Sequence, residues 1–248
     1  MFHKELEDYT GRLLEVDRFR DYCPNGLQVE GSRPIRKIAT GVTASLSFLE
    51  KARDCGADAV FVHHGYFWKS EDPRITGIKK KRIGLLMESG MSLFAYHLPL
   101  DAHPELGNNA QLGMKLGFST DSRFGDQNIA MLGKAWDPVR AEEFAERISL
   151  KLSRKVDIFG DKSKIIGKIS WCSGAAQHYL LEASNLGADG YLSGEISEQT
   201  VHEAEESGTV YFWAGHHATE RYGIQALGEH LAQAFSIGHE HIDAENPV

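Results

Sequence analysis

The chain of 248 residues carries 27 Lys and Arg against 35 Asp and Glu, a formal net charge of −8, with 42% hydrophobic and 25% charged residues. That is the mix of a globular chain long enough to bury a sizeable core, and its acidity counts against broad binding to a phosphate backbone. No apolar run reaches the ~18 residues of a membrane span, and the three scattered cysteines, Cys23, Cys55 and Cys172, suit neither a disulfide framework nor a thiolate zinc knuckle.

The N-terminal Met1-Phe2-His3-Lys4-Glu5 has no apolar leader core, so a cytoplasmic chain is expected. Apolar positions Leu6, Tyr9, Leu13, Leu14 and Val16 predict a first helix over Leu6 to Phe19. Pro24-Asn25-Gly26 is turn chemistry, and Leu27-Gln28-Val29 alternates like a strand. A second strand is expected over Ile35 to Val42, followed by a helix capped by Ser45 and ended by Gly56. Ala59 to Val62 is then a buried strand that delivers His63 and His64 at its end, where an α/β fold places its chemistry.

Tyr66 to Ile75 reads as an aromatic, polar loop. Lys79-Lys80-Lys81-Arg82 opens an amphipathic helix to Glu88, with the basic run read as a solvated face. Leu93 to Tyr96 is a strand leading into His97-Leu98-Pro99-Leu100-Asp101, and Asn108 starts a helix ending near Gly117. Phe118 to Gly133 is weakly patterned and is read as the end of the first half. A helix is expected over Pro138 to Leu152, a strand over Val156 to Phe159, and a turn at Gly160-Asp161-Lys162-Ser163.

The second half repeats the first. Residues 37–64 lie on 168–195 without a gap, with eight identities: Lys37, Ile38, Ala44, Leu49, Ala52, Gly56, Ala57 and Asp58. Glu88-Ser89-Gly90 is echoed by Glu206-Ser207-Gly208. With one inserted residue, His97-x-x-x-Asp101 lies on His216-x-x-x-Glu220. A period of about 130 residues is too long for a solenoid. The expected fold is α/β, with two similar lobes related by a pseudo-twofold axis, 1–125 and 126–248, forming one compact unit. A metal site is expected in the cleft between them. His63-His64 in the first lobe becomes Gly194-Glu195 in the second, so the site is expected to be asymmetric.

Imidazoles and carboxylates suit zinc, iron, manganese and related divalent ions. His63, His64, Asp101, His216 and Glu220 are five candidate ligands, a plausible count for two metals. Joint ligation by His63 and His64 requires the strand to have ended, because adjacent side chains on a strand point to opposite faces. A His-x-x-x-Glu spacing puts His216 and Glu220 on one helix face. His97 is evenly placed between ligand and neighbour of a ligand. His217 is expected to line the cleft or support a ligand, and either could assist proton transfer. Glu195 either faces the cleft or makes a hydrogen bond. Asp58 and Asp189 are read as turn residues, and His239 and His241 as surface or strand residues. Tyr66, Phe67 and Trp68 could stack on a ring or simply pack a loop.

These residues also resemble a family. Pro24 to Val29, Gly41-Val42-Thr43-Ala44-Ser45, Gly56 to Gly65, His97 to Asp101, Gly107-Asn108-Asn109-Ala110 and Gly215 to Glu220 look like the signatures of the NIF-three-like family. Its members are also called GTP cyclohydrolase 1 type 2 homologues, and the chain is most similar to the short bacterial YbgI members. The resemblance is weakest over about 120–165, where longer members carry an inserted domain for which this chain has no room. It implies two α/β lobes, two divalent metal ions per subunit held by His63, His64, Asp101, His216 and Glu220, and a toroidal homohexamer. The expected activity is hydrolysis of a small nucleotide-like or cyclic amide substrate through a metal-bound water. The alternative is a non-enzymatic metal carrier or a ring-shaped scaffold.

Overall fold

The computed structural model describes residues 3–244 and 246–248, so Met1 and Phe2 of the segment read for a leader lie outside it. The chain is mixed α/β with two sheets. It divides into two compact units, Met1–Gly107 with Gly223–Glu245, and Asn108–Tyr222 with Asn246–Val248. The division falls ahead of the expected 125/126 boundary.

The first unit opens with α1 (His3–Leu13), shorter than the helix the periodicity predicts, because a separate 3-10 turn takes Val16–Arg18. Then come β1 (Gly26–Val29), β2 (Lys37–Thr43), α2 (Leu46–Asp54), β3 (Ala59–His64), α3 (Gly77–Ser89), β4 (Ser92–Ala95) and the short α4 (Leu98–Ala102). Ser45 caps α2 as expected, its hydroxyl accepting from the Phe48 N–H at 3.3 Å. β2, β3 and β4 are parallel, and β1 adds antiparallel to β4.

The near-continuous apolar run of β3 follows from burial on both faces. Val60 and Val62 pack with Phe48, Leu49 and Ala52 of α2 and with Ile83 and Leu86 of α3. Ala59 and Phe61 pack on the opposite face with Leu6 of α1 and with Ile224, Leu227 and Leu231. One expectation fails on α3. Lys79 is not on a solvated face but buried, its ammonium donating to the Asp72 carbonyl (2.6 Å) and pairing with Glu71 (2.9 Å). The loop 69–76 folds over it.

The second unit contains α5 (Asn108–Leu116), β5 (Ser119–Phe124), β6 (Ala130–Arg140), α6 (Ala141–Leu152), β7 (Asp157–Phe159), β8 (Ile165–Cys172), α7 (Leu180–Asn185), β9 (Gly190–Ser193), α8 (Glu198–Ser207) and β10 (Val210–Trp213). β8, β9 and β10 are parallel, flanked by antiparallel β6 and β7, with β5 beyond β6. The stretch read as weakly patterned is therefore a pair of strands. β5 is a largely exposed edge strand of Ser, Thr, Asp and Arg, so it carries no apolar alternation. The helix expected from Pro138 starts only at Ala141, since β6 runs through Arg140. The core here joins Phe144, Ile148 and Leu152 of α6 to Ile169, Trp171, Leu192 and Phe212.

Helix α9 (His216–Phe235) is counted with the second unit up to Tyr222 and with the first from Gly223. β11 (Gly238–His241) then pairs parallel with β2, which is why the tail belongs with the first sheet.

The repeat holds at the level of single hydrogen bonds. In the first unit the Asp58 carboxylate accepts from Arg36 and Lys37 N–H, and the Lys37 ammonium donates to the Cys55 carbonyl. In the second unit the Asp189 carboxylate accepts from Gly167 and Lys168 N–H, and the Lys168 ammonium donates to the Leu186 carbonyl. The aspartates read as turn residues thus tie off the entry of the central strands of both sheets.

Candidate metal centre

In the first unit, pairing of β3 with β4 ends at Val62, so the last two residues of β3 are held by β2 alone. The strand continues through His64, against the expectation that it must end before the two histidines can meet. The rings nevertheless approach, with centroids 4.5 Å apart. His63 is fully buried, and its Nε2 lies 3.5 Å from Asp101 Oδ1 on α4. His97 precedes α4, its ring 5.0 Å from His63 and 5.8 Å from His64. One ring nitrogen from each of His63, His64 and His97 lies within 4.8 Å of the other two, a grouping able to hold a metal ion.

The sequence motifs around these residues prove to be their supports. Gln28 accepts from the Tyr66 N–H at 2.7 Å and donates to the Tyr66 carbonyl at 3.1 Å, fixing the loop after His64. A Cβ on Gly65 would lie 2.2 Å from Gln28 Oε1, so only glycine fits there. Asn25 accepts from the His97 N–H at 2.7 Å and donates to Asp21 at 2.8 Å. Trp68 stands edge-on to His97 with centroids 5.0 Å apart and donates its indole N–H to the Gly65 carbonyl.

In the second unit, His216 and Glu220 occupy the first turn of α9, on one face as the spacing requires. His216 Nε2 lies 3.1 Å from Glu220 Oε2, and His216 Nδ1 lies 2.7 Å from Glu195 Oε1. Of the two roles open to Glu195, the structure shows the hydrogen bond. Burial alone would depress the His216 pKa, but the hydrogen bonds and charges of Glu220 and Glu195 outweigh it and raise it to about 9. A positive charge thus sits between two carboxylates, an electrostatic place that a cation can take over. Gly174 closes against the pair. Its φ is +66°, and a Cβ there would meet Glu220 Oε1 at 2.2 Å and His216 Nε2 at 3.2 Å. Gly174 is held by its N–H on Thr219 Oγ1, and Ser173 beside it donates its N–H to Asn109 Oδ1 of the Gly107 to Ala110 motif. His217 is buried beside this pair.

The donor chemistry fits a divalent metal. Nδ1 of His63 is 2.9 Å from the Tyr96 carbonyl, Nδ1 of His97 is 2.7 Å from Asp21, and Nδ1 of His216 is on Glu195. Carbonyl and carboxylate oxygens only accept, so each Nδ1 carries the hydrogen; in the neutral form each ring then presents Nε2 as its lone pair, His216 only after shedding the proton it holds between the two carboxylates. His64 Nδ1 makes the corresponding contact with Thr43 Oγ1 at 3.3 Å. Holding one ring nitrogen so that the other can ligate is how metal-binding histidines are ordinarily oriented. Asp21, Thr43 and Tyr96 escaped the sequence reading. Asp21 sits in an unpatterned segment, and the other two act through a strand position and a backbone carbonyl.

Among the described residues no helix is long and apolar enough to cross a membrane. The family model for Duf34/NIF3 (NGG1p interacting factor 3) matches residues 1–247. A protein of Allochromatium vinosum named GTP cyclohydrolase 1 type 2 homolog is 48% identical, the match covering 99% of this chain and 97% of that one. Among solved structures, protein ybgI, described as of unknown function, superposes with a TM-score of 0.96 at 43% identity over the whole of both chains. TTHA1606 of Thermus thermophilus gives 0.88 at 31% identity, again over both whole chains. The chain belongs to the Duf34/NIF3 family.

Proposed function

We propose that the chain is a metal-dependent hydrolase. In this reading His63, His64, Asp101, His216 and Glu220 hold two divalent ions of the zinc, iron or manganese kind, and the substrate is a small nucleotide-like or cyclic amide molecule. The carrying observation is the uniform orientation of the histidines. Nδ1 of His63 in one unit and Nδ1 of His216 in the other are each committed to an acceptor, which leaves Nε2 of each as the atom able to ligate an ion. Bound ions of this kind supply Lewis-acid polarisation and a water acidic enough to attack at neutral pH.

The protein's own part is to bring the ligands and shed protons. Asp101 and Glu220 offset the ions' charge while buried, at 5% and 3% exposure. His216 must give up the proton it holds against Glu195 and Glu220, so uptake of an ion releases a proton. Trp68, beside His64 and His97, offers an aromatic edge to a ring-bearing substrate. The relatives' name points to purine nucleotides as the first compounds to try. The toroidal homohexamer implied by the resemblance is part of this reading, and sedimentation of the purified protein tests it.

The experiment is to load the protein with zinc, manganese or ferrous iron and to screen it against GTP, other nucleotides and cyclic amides. Turnover that needs the metal and is lost in His63→Ala and Glu220→Ala supports the proposal. Tight metal binding with no turnover on any of these, and transfer of the ion to an acceptor chelator, would favour a carrier instead.

A further inference from the structure

His97 and His216 are equivalent in the repeat, but their surroundings assign them different work. In the second unit the helix carboxylate Glu220 lies on His216 Nε2 at 3.1 Å. In the first unit its counterpart Asp101 lies against His63 instead, at 3.5 Å. His63 has taken the place beside the carboxylate that the repeat would give to His97, which leaves His97 with a ring nitrogen near the ligand histidines and another role.

That role is set by Asp21, which lies on the segment between α1 and β1 and belongs to neither repeat. Its Oδ1 accepts from the Tyr22 N–H (2.6 Å) and from His97 Nδ1 (2.7 Å), and its Oδ2 accepts from Asn25 Nδ2 (2.8 Å) and from the Leu98 N–H (2.9 Å). Its side chain is only 3% exposed. Four donors saturate the carboxylate, so it is a fixed acceptor and not itself a spare ligand, although a metal grouping of Asp21, Cys23 and His97 is close enough in space. Burial, with the Asp21 charge adding to it, raises the Cys23 thiol to about 12, which keeps it from acting as a thiolate there. His97 is clamped further through its own N–H on Asn25 and by the Trp68 edge.

We propose that Asp21 is a positioning residue that fixes His97 with Nδ1 protonated and Nε2 presented beside His63 and His64, making His97 the proton-transfer group of the centre and not one of its metal ligands. A histidine oriented by a buried carboxylate is the arrangement by which imidazole takes up and returns a proton during hydrolysis. A proton taken at Nε2 from the attacking water makes an imidazolium that the Asp21 carboxylate stabilises, and its delivery to the leaving group restores the neutral ring. The inference rests on the metal-centre reading given under the proposed function.

The test uses the full chain with zinc as the probe and has two readouts. The first is zinc content by elemental analysis for wild type, His97→Gln, Asp21→Asn and Glu220→Ala. His97→Gln and Asp21→Asn are expected to keep the wild-type zinc content, whereas Glu220→Ala loses it. Loss of zinc in His97→Gln would make His97 a ligand and overturn the proposal. The second is the His97 tautomer in the metal-free protein, read from long-range proton–nitrogen spectra of 15N-labelled protein. Wild type is expected to show the Nδ1-protonated form, with Asp21→Ala shifting it mainly to the Nε2-protonated form that dominates in water and Asp21→Glu restoring it. Should Asp21→Ala not fold, Asp21→Asn keeps the shape and is expected to move the downfield Nδ1 proton resonance upfield. An unchanged tautomer or resonance in these variants refutes the role of Asp21. A wild-type chain that takes up no zinc refutes the metal centre itself, and that failure is seen before any variant is compared.

Discussion

His97 in the first unit follows β4 and His216 in the second follows β10, and each has Nδ1 on a carboxylate oxygen at 2.7 Å. The carboxylates have different origins. Glu195 stands at the position that His64 holds in the first half, so the second unit uses its strand end for the orienting group. The first unit places a second histidine at its strand end and draws the orienting carboxylate, Asp21, from outside the repeat. What the halves share is a chemical arrangement, an imidazole with one nitrogen anchored. The residue that anchors it differs between them.

Removing ligands should have the largest effect. His63→Ala from one unit and Glu220→Ala from the other are expected to lose bound zinc, and any metal-dependent turnover with it, while far-UV circular dichroism stays that of a folded α/β protein. Unchanged zinc content in either variant would remove that residue from the centre.

Gly174→Ala breaks the second half alone. A side chain at φ +66° with its Cβ 2.2 Å from Glu220 Oε1 is expected to cost about 3 kcal/mol by urea unfolding. It should also weaken zinc binding by displacing Glu220. A variant as stable and as metal-avid as wild type would show that the close approach is unimportant.

The Asp58 and Asp189 pair tests the symmetry of the scaffold. Each carboxylate serves two backbone N–H groups at equivalent places, so Asp58→Ala and Asp189→Ala should each cost about 2 kcal/mol. Markedly unequal costs would mean that the repeat's energetics have diverged along with its chemistry.

Asp21 supplies an effect of similar size, whose pH dependence is confined to acid. Burial alone would raise its carboxyl, but the hydrogen bond and charge of His97, with the bonds from Asn25 and the Tyr22 N–H, win and lower it from 3.8 to about 2. A folded-state pKa below the unfolded one contributes stability above about pH 4, lost as pH falls through about 2. The contribution is about 2 kcal/mol, and Asp21→Asn should flatten that part of the acid-unfolding profile. An unaltered profile would show that Asp21 is not held low.

Much of this was legible from the residues. The repeat, the strand carrying His63 and His64, and the helical spacing of His216 and Glu220 depend on local pattern and periodicity, which a sequence displays directly. The exposed polar edge strand β5 was hidden because a strand paired on one side needs no apolar face. Burial of Lys79 was hidden because it depends on a loop folding back over α3. Asp21 was hidden for a related reason. Its meaning lies in meeting His97 and Leu98, 76 and 77 residues later, and no periodicity records such a meeting. Asn25 and Gln28 were visible as a motif but were read as turn chemistry and as a strand position, when their side chains are what hold His97 and the loop after His64.

The central proposal is that His63, His64, Asp101, His216 and Glu220 hold two divalent ions. Calorimetric titration of the metal-free wild-type chain with zinc, with elemental analysis of the product, tests it most directly. About two zinc ions per chain are expected, with proton release on binding as His216 is deprotonated. Uptake no greater than that of the His63→Ala, Glu220→Ala double variant would contradict it.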